Sequence, residues 1–285
     1  MTYSVLINGQ SEQSVPVTDR GLAYGHGLFE TIALNQSTPV AWQAHLARLR
    51  TDAERLAISL SADIDQLLEQ DLTELLRLQS VILDRSVLKI TITRGCGGRG
   101  YSVDDSVSIN RIVQLNPFPD YPDKPSEKGI SLRLCATRLA IAPQLAGIKH
   151  LNRLEQVLAR AEWQSSDFRE GVVLDAEGFL AEGTMSNLFW CKNGTLYTPE
   201  LDRCGVNGIV RQRIIAIAEE QGIKLSIGRY KPDCLVSADE VIVCNSVIGV
   251  WPVVSAVMHE NNRLSWSIGS MTRKLQSMLA AEGIY

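Results

Sequence analysis

Lys149 is the side chain in this sequence whose setting most favours chemistry. It follows Ala-Gly-Ile and precedes a segment, residues 150–163, in which apolar residues recur at helical spacing. We predict a helix that begins almost at once, with Asn152 as its N-cap and Glu155 completing a capping box. A lysine at such a rigid strand-to-helix junction, among apolar neighbours, is suited to attack a carbonyl group as an amine. The commoner alternative is a surface lysine whose stem lies along apolar surface at the end of an element. The predicted apolar stripe of the helix consists of Leu151, Leu154, Val157, Leu158 and Ala161.

Two later segments could bind charged groups. Glu182 ends a predicted strand and precedes Gly183, where a buried carboxylate would need a cationic partner to stay ionised. By pattern alone, a surface glutamate at a strand end is the commoner case. A second helix is predicted to open at Gly208, where the N–H groups of Ile209 and Val210 could attract an anion. A simple helix start after a Gly-rich turn is the alternative there.

The glycine-rich segment RGCGGRGY, residues 94–101, is a further candidate. It lacks the Gly-Lys-Ser/Thr ending of a P-loop and no helical pattern follows it, so a nucleotide site is not indicated. Arg94 and Arg99 could let the segment close over an anionic substrate, and a solvent-exposed turn remains an equal alternative.

The composition limits the classes of protein to consider. The chain has 285 residues, is 45% hydrophobic and 21% charged, and carries a formal net charge of −4. Its basic residues form no run, so a small-molecule ligand is expected and nucleic acid is not. The six cysteines lack metal-binding or disulfide spacing. The sequence shows no leader and no run long enough to span a bilayer, so we expect a cytoplasmic protein without a membrane partner.

The elements that must position these residues alternate between strands and helices. A hairpin is expected from Ser4–Ile7 through Asn8-Gly9 to a return strand at Val15–Val17. Apolar periodicity predicts helices over 41–58, 63–79, 209–221 and 271–281. Further strands are expected over 87–93, 107–115, 130–136, 172–174, 179–181, 188–191, 196–197 and 241–244.

Prolines at positions 117, 119, 122 and 125 interrupt every helix and central-strand pattern in LNPFPDYPDKPSEKG. We therefore predict a small N-terminal α+β domain over 1–118, a linker over 119–127, and a larger C-terminal domain over 128–285. Two domains of this size fit the length of the chain.

Several of these segments together resemble one enzyme family. AGIKHLNRLEQVLAR, EGTMSNLF, GVNGIVR, HLARL and RGCGGRGY are similar to segments of the fold-type IV pyridoxal-phosphate enzymes. The resemblance covers nearly the whole chain and is strongest to the aminodeoxychorismate lyases of that family. It implies the D-amino acid aminotransferase-like two-domain fold, pyridoxal 5'-phosphate as cofactor, and a homodimer.

The resemblance also implies roles for individual residues. Lys149 would hold the cofactor aldehyde and act as the catalytic base, and Glu182 would face the pyridine nitrogen. The phosphate would be bound by the Arg48 guanidinium, the Ile209 and Val210 amides, and the Ser246 hydroxyl. These segments lie far apart in the sequence, so their agreement carries more weight than any one of them.

The reaction is inferred from the substrate-binding positions. D-amino acid aminotransferases of this fold grip the substrate carboxylate with Tyr, Arg and His, and the matching positions here are Phe29, Arg99 and Tyr101. Only the arginine is retained, which counts against a D-amino acid aminotransferase, and RGCGGRGY has the form that this loop takes in the lyases. The resemblance therefore implies elimination from 4-amino-4-deoxychorismate, giving 4-aminobenzoate and pyruvate in folate biosynthesis. A branched-chain or D-amino acid aminotransferase is the alternative, and a non-catalytic cofactor-binding protein is a third. One departure from the family pattern is His26, where relatives more often have aspartate.

Overall fold

The structure is a computed structural model that describes residues 4–11, 14–79, 83–103, 108–258 and 262–284. The chain divides into two compact units. The first consists of Met1–Pro119 with Lys149–Asn152, and the second of Asp120–Ile148 with Arg153–Tyr285. The expected C-terminal domain over 128–285 thus differs from the second unit, because Lys149 and the three residues after it belong to the first.

The first unit contains an antiparallel five-stranded sheet in the order β1-β5-β4-β2-β3. Its strands are β1 (Ser4–Ile7), β2 (Gly27–Asn35), β3 (Thr38–Pro39), β4 (Arg85–Thr93) and β5 (Asn110–Pro117). Its helices are α1 (Arg20–Tyr24), α2 (Trp42–Arg55) and α3 (Ile64–Arg77).

The core of the first unit follows from two periodicities. In β2, every second residue is buried, namely Leu28, Glu30, Ile32 and Leu34, because side chains alternate between the faces of a strand. Apolar residues of α2 and α3 cover that face of the sheet; they include Leu46, Leu49, Leu68 and Leu75. The predictions of α2, α3, β1 and β4 are confirmed, with ends that shift by a few residues.

The prediction of an N-terminal hairpin is wrong. No strand forms at Val15–Val17; instead Ile7 pairs with Gln10 across the Asn8-Gly9 turn, and β1 pairs with β5. Pro16 lacks the N–H that a paired strand would need at that position. The Asp19-Arg20-Gly21 segment opens α1, and the Asp19 side chain accepts from the Leu22 amide as its N-cap. The strand expected from Val107 begins at Asn110, and Val107 itself lies outside the described residues.

The second unit contains a mixed sheet in the order β11-β10-β9-β12-β13-β6-β7-β8, with β14 paired to β13. Its strands are β6 (Ile130–Leu139), β7 (Glu170–Asp175), β8 (Leu180–Gly183), β9 (Asn187–Lys192), β10 (Thr195–Pro199), β11 (Leu225–Gly228), β12 (Glu240–Asn245), β13 (Gly249–Val257) and β14 (Arg263–Ser265). Its helices are α4 (Pro125–Lys128), α5 (Leu154–Ala161), α6 (Ile209–Glu220) and α7 (Ser270–Ala281). The strands predicted in this half, and helices α6 and α7, are confirmed, whereas β11, β13 and β14 were not predicted.

Helix α6 is fixed by its apolar face. Val210, Ile214 and Ile217 are buried, as predicted, in a cluster with residues of β12 and α7. Burying aliphatic side chains of this size contributes about 1.5–3 kcal/mol each. The position of the helix start at Gly208 is therefore set by packing along the whole helix.

The helix after Lys149 differs from the prediction. It begins at Leu154, with no side-chain cap; Asn152 instead donates to the Gly25 carbonyl, and Glu155 accepts from the Ala140 amide. The predicted apolar stripe is largely exposed, since only Ala159 of α5 is fully buried and Leu154, Val157 and Leu158 are 67%, 60% and 53% exposed. Long-range hydrogen bonds to other loops have taken the polar groups that a local capping box would use.

The expected linker is not devoid of structure. Within 119–127, Pro125 begins the short helix α4, where the missing proline N–H costs nothing because the first helical amide has no intrahelical partner. Across the part of the chain that the structure describes, none of the helices has the length and apolar character needed to cross a membrane.

Candidate functional site

The backbone of Lys149 is hydrogen-bonded on both sides within the first unit. Its N–H donates to Asp52 Oδ2 at 2.9 Å, and its carbonyl accepts from the Phe29 amide at 3.0 Å. The Leu151 amide donates to the Gly27 carbonyl, so residues 149–151 lie along β2. The Lys149 Nζ lies 4.2 Å from the centre of the Phe29 ring. The amine thus extends from a fixed backbone over the face of an aromatic ring. When the amine is protonated, this face attracts its positive charge.

A buried ion cluster holds Arg48, the predicted phosphate ligand. Glu30 accepts from Arg48 Nε at 2.8 Å and from Arg48 Nη2 at 2.5 Å, and the His45 Nδ1 lies 2.6 Å from Glu30 Oε2. Burial by itself would raise the pKa of Glu30, but the Arg48 charge and the hydrogen bonds from His45 and Arg48 outweigh it. The pKa falls from 4.5 to about 2. Glu30 is therefore an anion that orients the Arg48 guanidinium with two parallel hydrogen bonds.

Two neighbours of this cluster respond differently to burial. Burial lowers the pKa of His45 despite the nearby Glu30 charge, so its imidazole is neutral at pH 7 and donates from Nδ1. Burial raises the pKa of Asp52, opposed by the hydrogen bond from the Lys149 amide. His45, Arg48 and Asp52 share the inward face of α2, which explains how one helix serves both Glu30 and Lys149.

Glu182 is buried at the end of β8 in the second unit. Its Oε2 accepts from the Val206 amide at 2.7 Å, and its Oε1 accepts from Gln156 Nε2 at 3.2 Å. Both donors favour the ionised carboxylate. The Oε1 of Gln156 is buried without a hydrogen-bond partner among the described residues. Gly205, at φ +81°, also lies against the carboxylate, since a Cβ placed there would come within 3.2 Å of Glu182 Oε2.

The turn after Glu182 is organised by a second buried carboxylate, Glu170. It accepts from the amides of Thr184 and Met185 and from the hydroxyls of Thr184 and Ser186. Glu170 thus fixes the backbone between β8 and β9, and with it the end of β8 that carries Glu182.

The groups of the second unit that are predicted to bind phosphate are connected to the same turn by hydrogen bonds. Asn187 accepts from the Gly208 amide and donates to the Val206 carbonyl, which holds the segment entering α6. In the described part of the chain no side chain caps α6, so the first-turn amides of Ile209 and Val210 can receive an anion. Ser246 lies in the turn after β12, and its neighbour Asn245 donates to the Met185 carbonyl.

The proposed substrate positions lie in the first unit. Phe29 faces Lys149 as described, whereas Arg99 and Tyr101 are exposed at the tip of the loop between β4 and β5. Arg94, at the start of this loop, is buried, so it cannot act as a flexible anion-binding arm. The expectation that both arginines close over a substrate is therefore kept for Arg99 alone.

Within the first unit, Lys149 lies close to Phe29 and is hydrogen-bonded to Asp52 of α2, the helix that carries Arg48. Within the second, hydrogen bonds of neighbouring residues connect Glu182, the start of α6 with Ile209 and Val210, and the turn with Ser246. Sequence reasoning missed the supporting residues Glu30, His45, Asp52, Glu170 and Asn187. One signal was available for Glu30, because it is an acidic residue on the apolar face of an alternating strand.

Comparison with known proteins identifies the family. The family model described as class IV amino-transferase matches residues 27–256. The chain belongs to the class IV aminotransferase family. Enzymes of this family depend on pyridoxal phosphate, and the fold of the chain is that of the fold-type IV aminotransferases and lyases.

Three similar proteins are informative about this class IV chain. An aminodeoxychorismate lyase of Vibrio harveyi is 37% identical over 96% of this chain and 98% of its own length. The crystal structure of 4-amino-4-deoxychorismate lyase from Pseudomonas aeruginosa has a TM-score of 0.89 and 43% identity, covering 99% of this chain and 100% of that one. A branched-chain amino acid aminotransferase of Escherichia coli has a TM-score of 0.81 and 26% identity, covering 98% and 93%.

The residues of this chain fit the cofactor of the family. Pyridoxal phosphate needs an amine, a carboxylate for its ring nitrogen and an anion site. Lys149 could supply the first from a fixed backbone. Glu182 could supply the second, beside a Gly205 without a side chain and a buried Gln156 oxygen that has no hydrogen-bond partner among the described residues. The uncapped start of α6 has the donor chemistry of a phosphate site.

Replacing Lys149 by alanine tests its role directly. We expect Lys149→Ala to lose the visible absorption band of the lysine-bound cofactor, with borohydride reduction leaving no pyridoxyl group on the protein. The exposed Lys224 provides a matched control, and Lys224→Ala should retain both the band and the reduced adduct. A pyridoxyl group found by mass spectrometry on another lysine of the Lys149→Ala protein would contradict the assignment.

Glu182→Gln tests the carboxylate at the ring nitrogen. We expect kcat to fall by about two orders of magnitude or more, while the dissociation constant of the cofactor changes by less than about tenfold, since an amide keeps the Val206 hydrogen bond but not the charge. Glu219→Gln, at an exposed position of α6, serves as the control. Equal losses of turnover and cofactor affinity would instead indicate a purely structural role.

The Glu30 cluster makes stability depend on pH. Because the folded pKa of Glu30 is lowered from 4.5 to about 2, its contribution is present above pH 4.5 and is lost as the pH falls towards 2. A shift of that size corresponds to on the order of 3 kcal/mol. Glu30→Gln should therefore lower the unfolding free energy at pH 7 by that order and flatten its acid dependence. Urea denaturation of this variant and of Glu54→Gln, an exposed control, measures the difference; parallel curves for Glu30→Gln and the unmodified protein would exclude the cluster as the cause.

Proposed function

We propose that this protein is a 4-amino-4-deoxychorismate lyase, which converts its substrate to 4-aminobenzoate and pyruvate, a step of folate biosynthesis. The observation that carries the proposal is similarity over the full chain length to two enzymes of that name, at 37% and 43% identity. The branched-chain amino acid aminotransferase of Escherichia coli shares 26% identity.

Pyridoxal phosphate, when bound, supplies an aldehyde that takes up the substrate amine and a protonated ring that accepts electron density. Lys149 Nζ would act as the base that removes the proton from the substrate carbon that bears nitrogen. Glu182, which accepts from the Val206 amide and from Gln156 Nε2, would favour a proton on the ring nitrogen. Arg48, the Ile209 and Val210 amides and Ser246 would hold the phosphate.

The carbon-oxygen bond to the enolpyruvyl group breaks next, and its departure makes the six-membered ring aromatic. The products together contain every atom of the substrate, so no water and no second substrate are consumed. Aromatisation explains why elimination prevails over the reprotonation that transamination requires. Phe29, whose ring lies beneath Lys149 Nζ, offers no hydroxyl to the substrate carboxylate, unlike the tyrosine of D-amino acid aminotransferases.

We also propose that the protein is a cytoplasmic homodimer, as the family resemblance implies. The exposed apolar side chains of α5, Leu154, Val157 and Leu158, offer surface that a second copy could bury. Sedimentation equilibrium of the purified holoenzyme tests the dimer, and a monomer at micromolar concentration would rule it out.

The decisive experiment measures both products. Purified holoenzyme is incubated with 4-amino-4-deoxychorismate in the absence of any 2-oxo acid, and pyruvate and 4-aminobenzoate are quantified. We expect them in equal amounts, with no product from the Lys149→Ala variant. If instead amino groups are transferred from branched-chain or D-amino acids to a 2-oxo acid and no pyruvate is released from aminodeoxychorismate, the aminotransferase alternative is correct.

A further inference from the structure

Arg20 is buried at the start of α1, in a segment to which sequence reasoning gave no function. Its guanidinium donates to the backbone carbonyls of one short stretch of the loop between β4 and β5. The acceptors are Gly97 at 3.2 Å, Gly100 at 3.1 Å, Tyr101 at 3.2 Å and Ser102 at 3.1 Å. This stretch, residues 97–102, is called the loop tip below, and it carries Arg99.

The orientation of Arg20 is itself fixed. His26 Nε2 lies 2.9 Å from the Leu56 carbonyl, which can only accept, so the proton is on Nε2 and Nδ1 receives the Arg20 Nε–H at 3.4 Å. The guanidinium also lies 5.1 Å from the centre of the Tyr24 ring. Among the described residues, every hydrogen-bond acceptor of the Arg20 side chain is neutral. Its charge is therefore directed at carbonyl dipoles of the loop tip, and it forms no ion pair with a described residue.

The base of the loop is held separately. Asp19 Oδ2 accepts from Thr93 Oγ1 and from Asn110 Nδ2, both at 2.6 Å, and so joins the last residue of β4 to the first of β5. The Arg20 amide donates to the Gly95 carbonyl at 2.8 Å. These contacts do not involve the Arg20 side chain. Loss of that side chain should release the loop tip while its base stays in place.

The loop tip needs such a constraint because of its composition. Gly97, Gly98 and Gly100 all have positive φ, and a Cβ at Gly98 would collide with the Ser102 carbonyl. Glycine gives access to this conformation but also to many others. Ordering the loop tip therefore costs more backbone entropy than ordering a segment of the same length without glycine. Five N–H donors in a planar fork can bind several convergent carbonyls at once, which the three donors of a lysine on a flexible stem do less well.

We propose that Arg20 is a positioning residue for substrate binding, which holds the loop tip in the conformation that presents Arg99 to a carboxylate of the substrate. This inference rests on the proposed function, because it takes Arg99 as a ligand of the anionic substrate. Arg20 acts through Arg99 and does not itself contact the substrate. His26, where relatives more often have aspartate, contributes by orienting Arg20.

A double-mutant cycle tests the coupling between the two arginines. Arg99→Ala is expected to raise KM for aminodeoxychorismate by roughly ten- to a hundredfold, the loss of one charge-assisted contact. Arg20→Ala should raise KM nearly as much, while kcat changes by less than about threefold. The KM of Arg20→Lys should lie between that of the unmodified protein and that of Arg20→Ala. The Arg20→Ala/Arg99→Ala protein should match Arg99→Ala within about twofold. Multiplicative effects of the two changes would overturn the proposal, as would an Arg20→Ala protein with unchanged KM.

Two further measurements separate this inference from the proposed function. Hydrogen exchange of the holoenzyme should show faster exchange at the loop tip in Arg20→Ala and unchanged exchange in β4, and unchanged exchange at the loop tip would refute the hold by Arg20 whatever the reaction is. Absence of pyruvate release by the unmodified protein would refute the lyase proposal alone.

Gly98→Ala disturbs the loop tip while keeping the Arg20 side chain, because the new Cβ would collide with the Ser102 carbonyl and would lie 3.4 Å from Arg20 Nη1. This variant should also raise KM, and it replaces Arg20→Ala in the test if that protein is too unstable to measure. Arg77→Ala, at an exposed site of α3, is the control for loss of an arginine and should match the unmodified protein.

Discussion

The proposed site depends on one constraint, the hydrogen bond from the Lys149 amide to Asp52 together with that from the Phe29 amide to the Lys149 carbonyl. Both hydrogen bonds fix the backbone of Lys149. The side chain that carries the amine keeps its rotational freedom, while the backbone atom to which it is attached stays in place. A lysine that must bind a carbonyl group and afterwards act as a base needs this combination. Asp52 lies on the inward face of α2, where burial raises the pKa of its carboxyl group.

Buried carboxylates recur as the organisers of this molecule. Glu30 orients Arg48, Glu170 fixes the turn beside Glu182, and Asp19 joins the two ends of the loop that bears Arg99. Each accepts several hydrogen bonds, which offsets the desolvation of a buried charge. Glu30 contacts Arg48 directly, whereas Glu170 and Asp19 fix the backbone segments that lead to Glu182 and Arg99. Supporting groups of this kind fix the placement of the residues proposed to react.

The loop between β4 and β5 shows how a flexible composition is made specific. Its glycines permit the turns, and the Asp19 and Arg20 side chains, adjacent in sequence, hold its base and its tip respectively. Such a division lets the tip respond to substitution without loss of the sheet. Arg94 and Arg99, equivalent in the sequence pattern, are therefore distinct in the structure, one buried and one exposed.

The sequence by itself determined which residues could do the chemistry. The periodicities of β4, α2 and α6 indicate their core residues, because alternation and helical spacing follow from local geometry alone. The segments around Lys149 and Glu182 likewise resemble segments of a known enzyme family. What the tertiary structure decided are the partners: Asn152 and Glu155 bind distant loops instead of capping α5, and Glu30 pairs with Arg48. Long-range hydrogen bonds of this kind depend on which segments meet after folding, and no local pattern encodes that meeting.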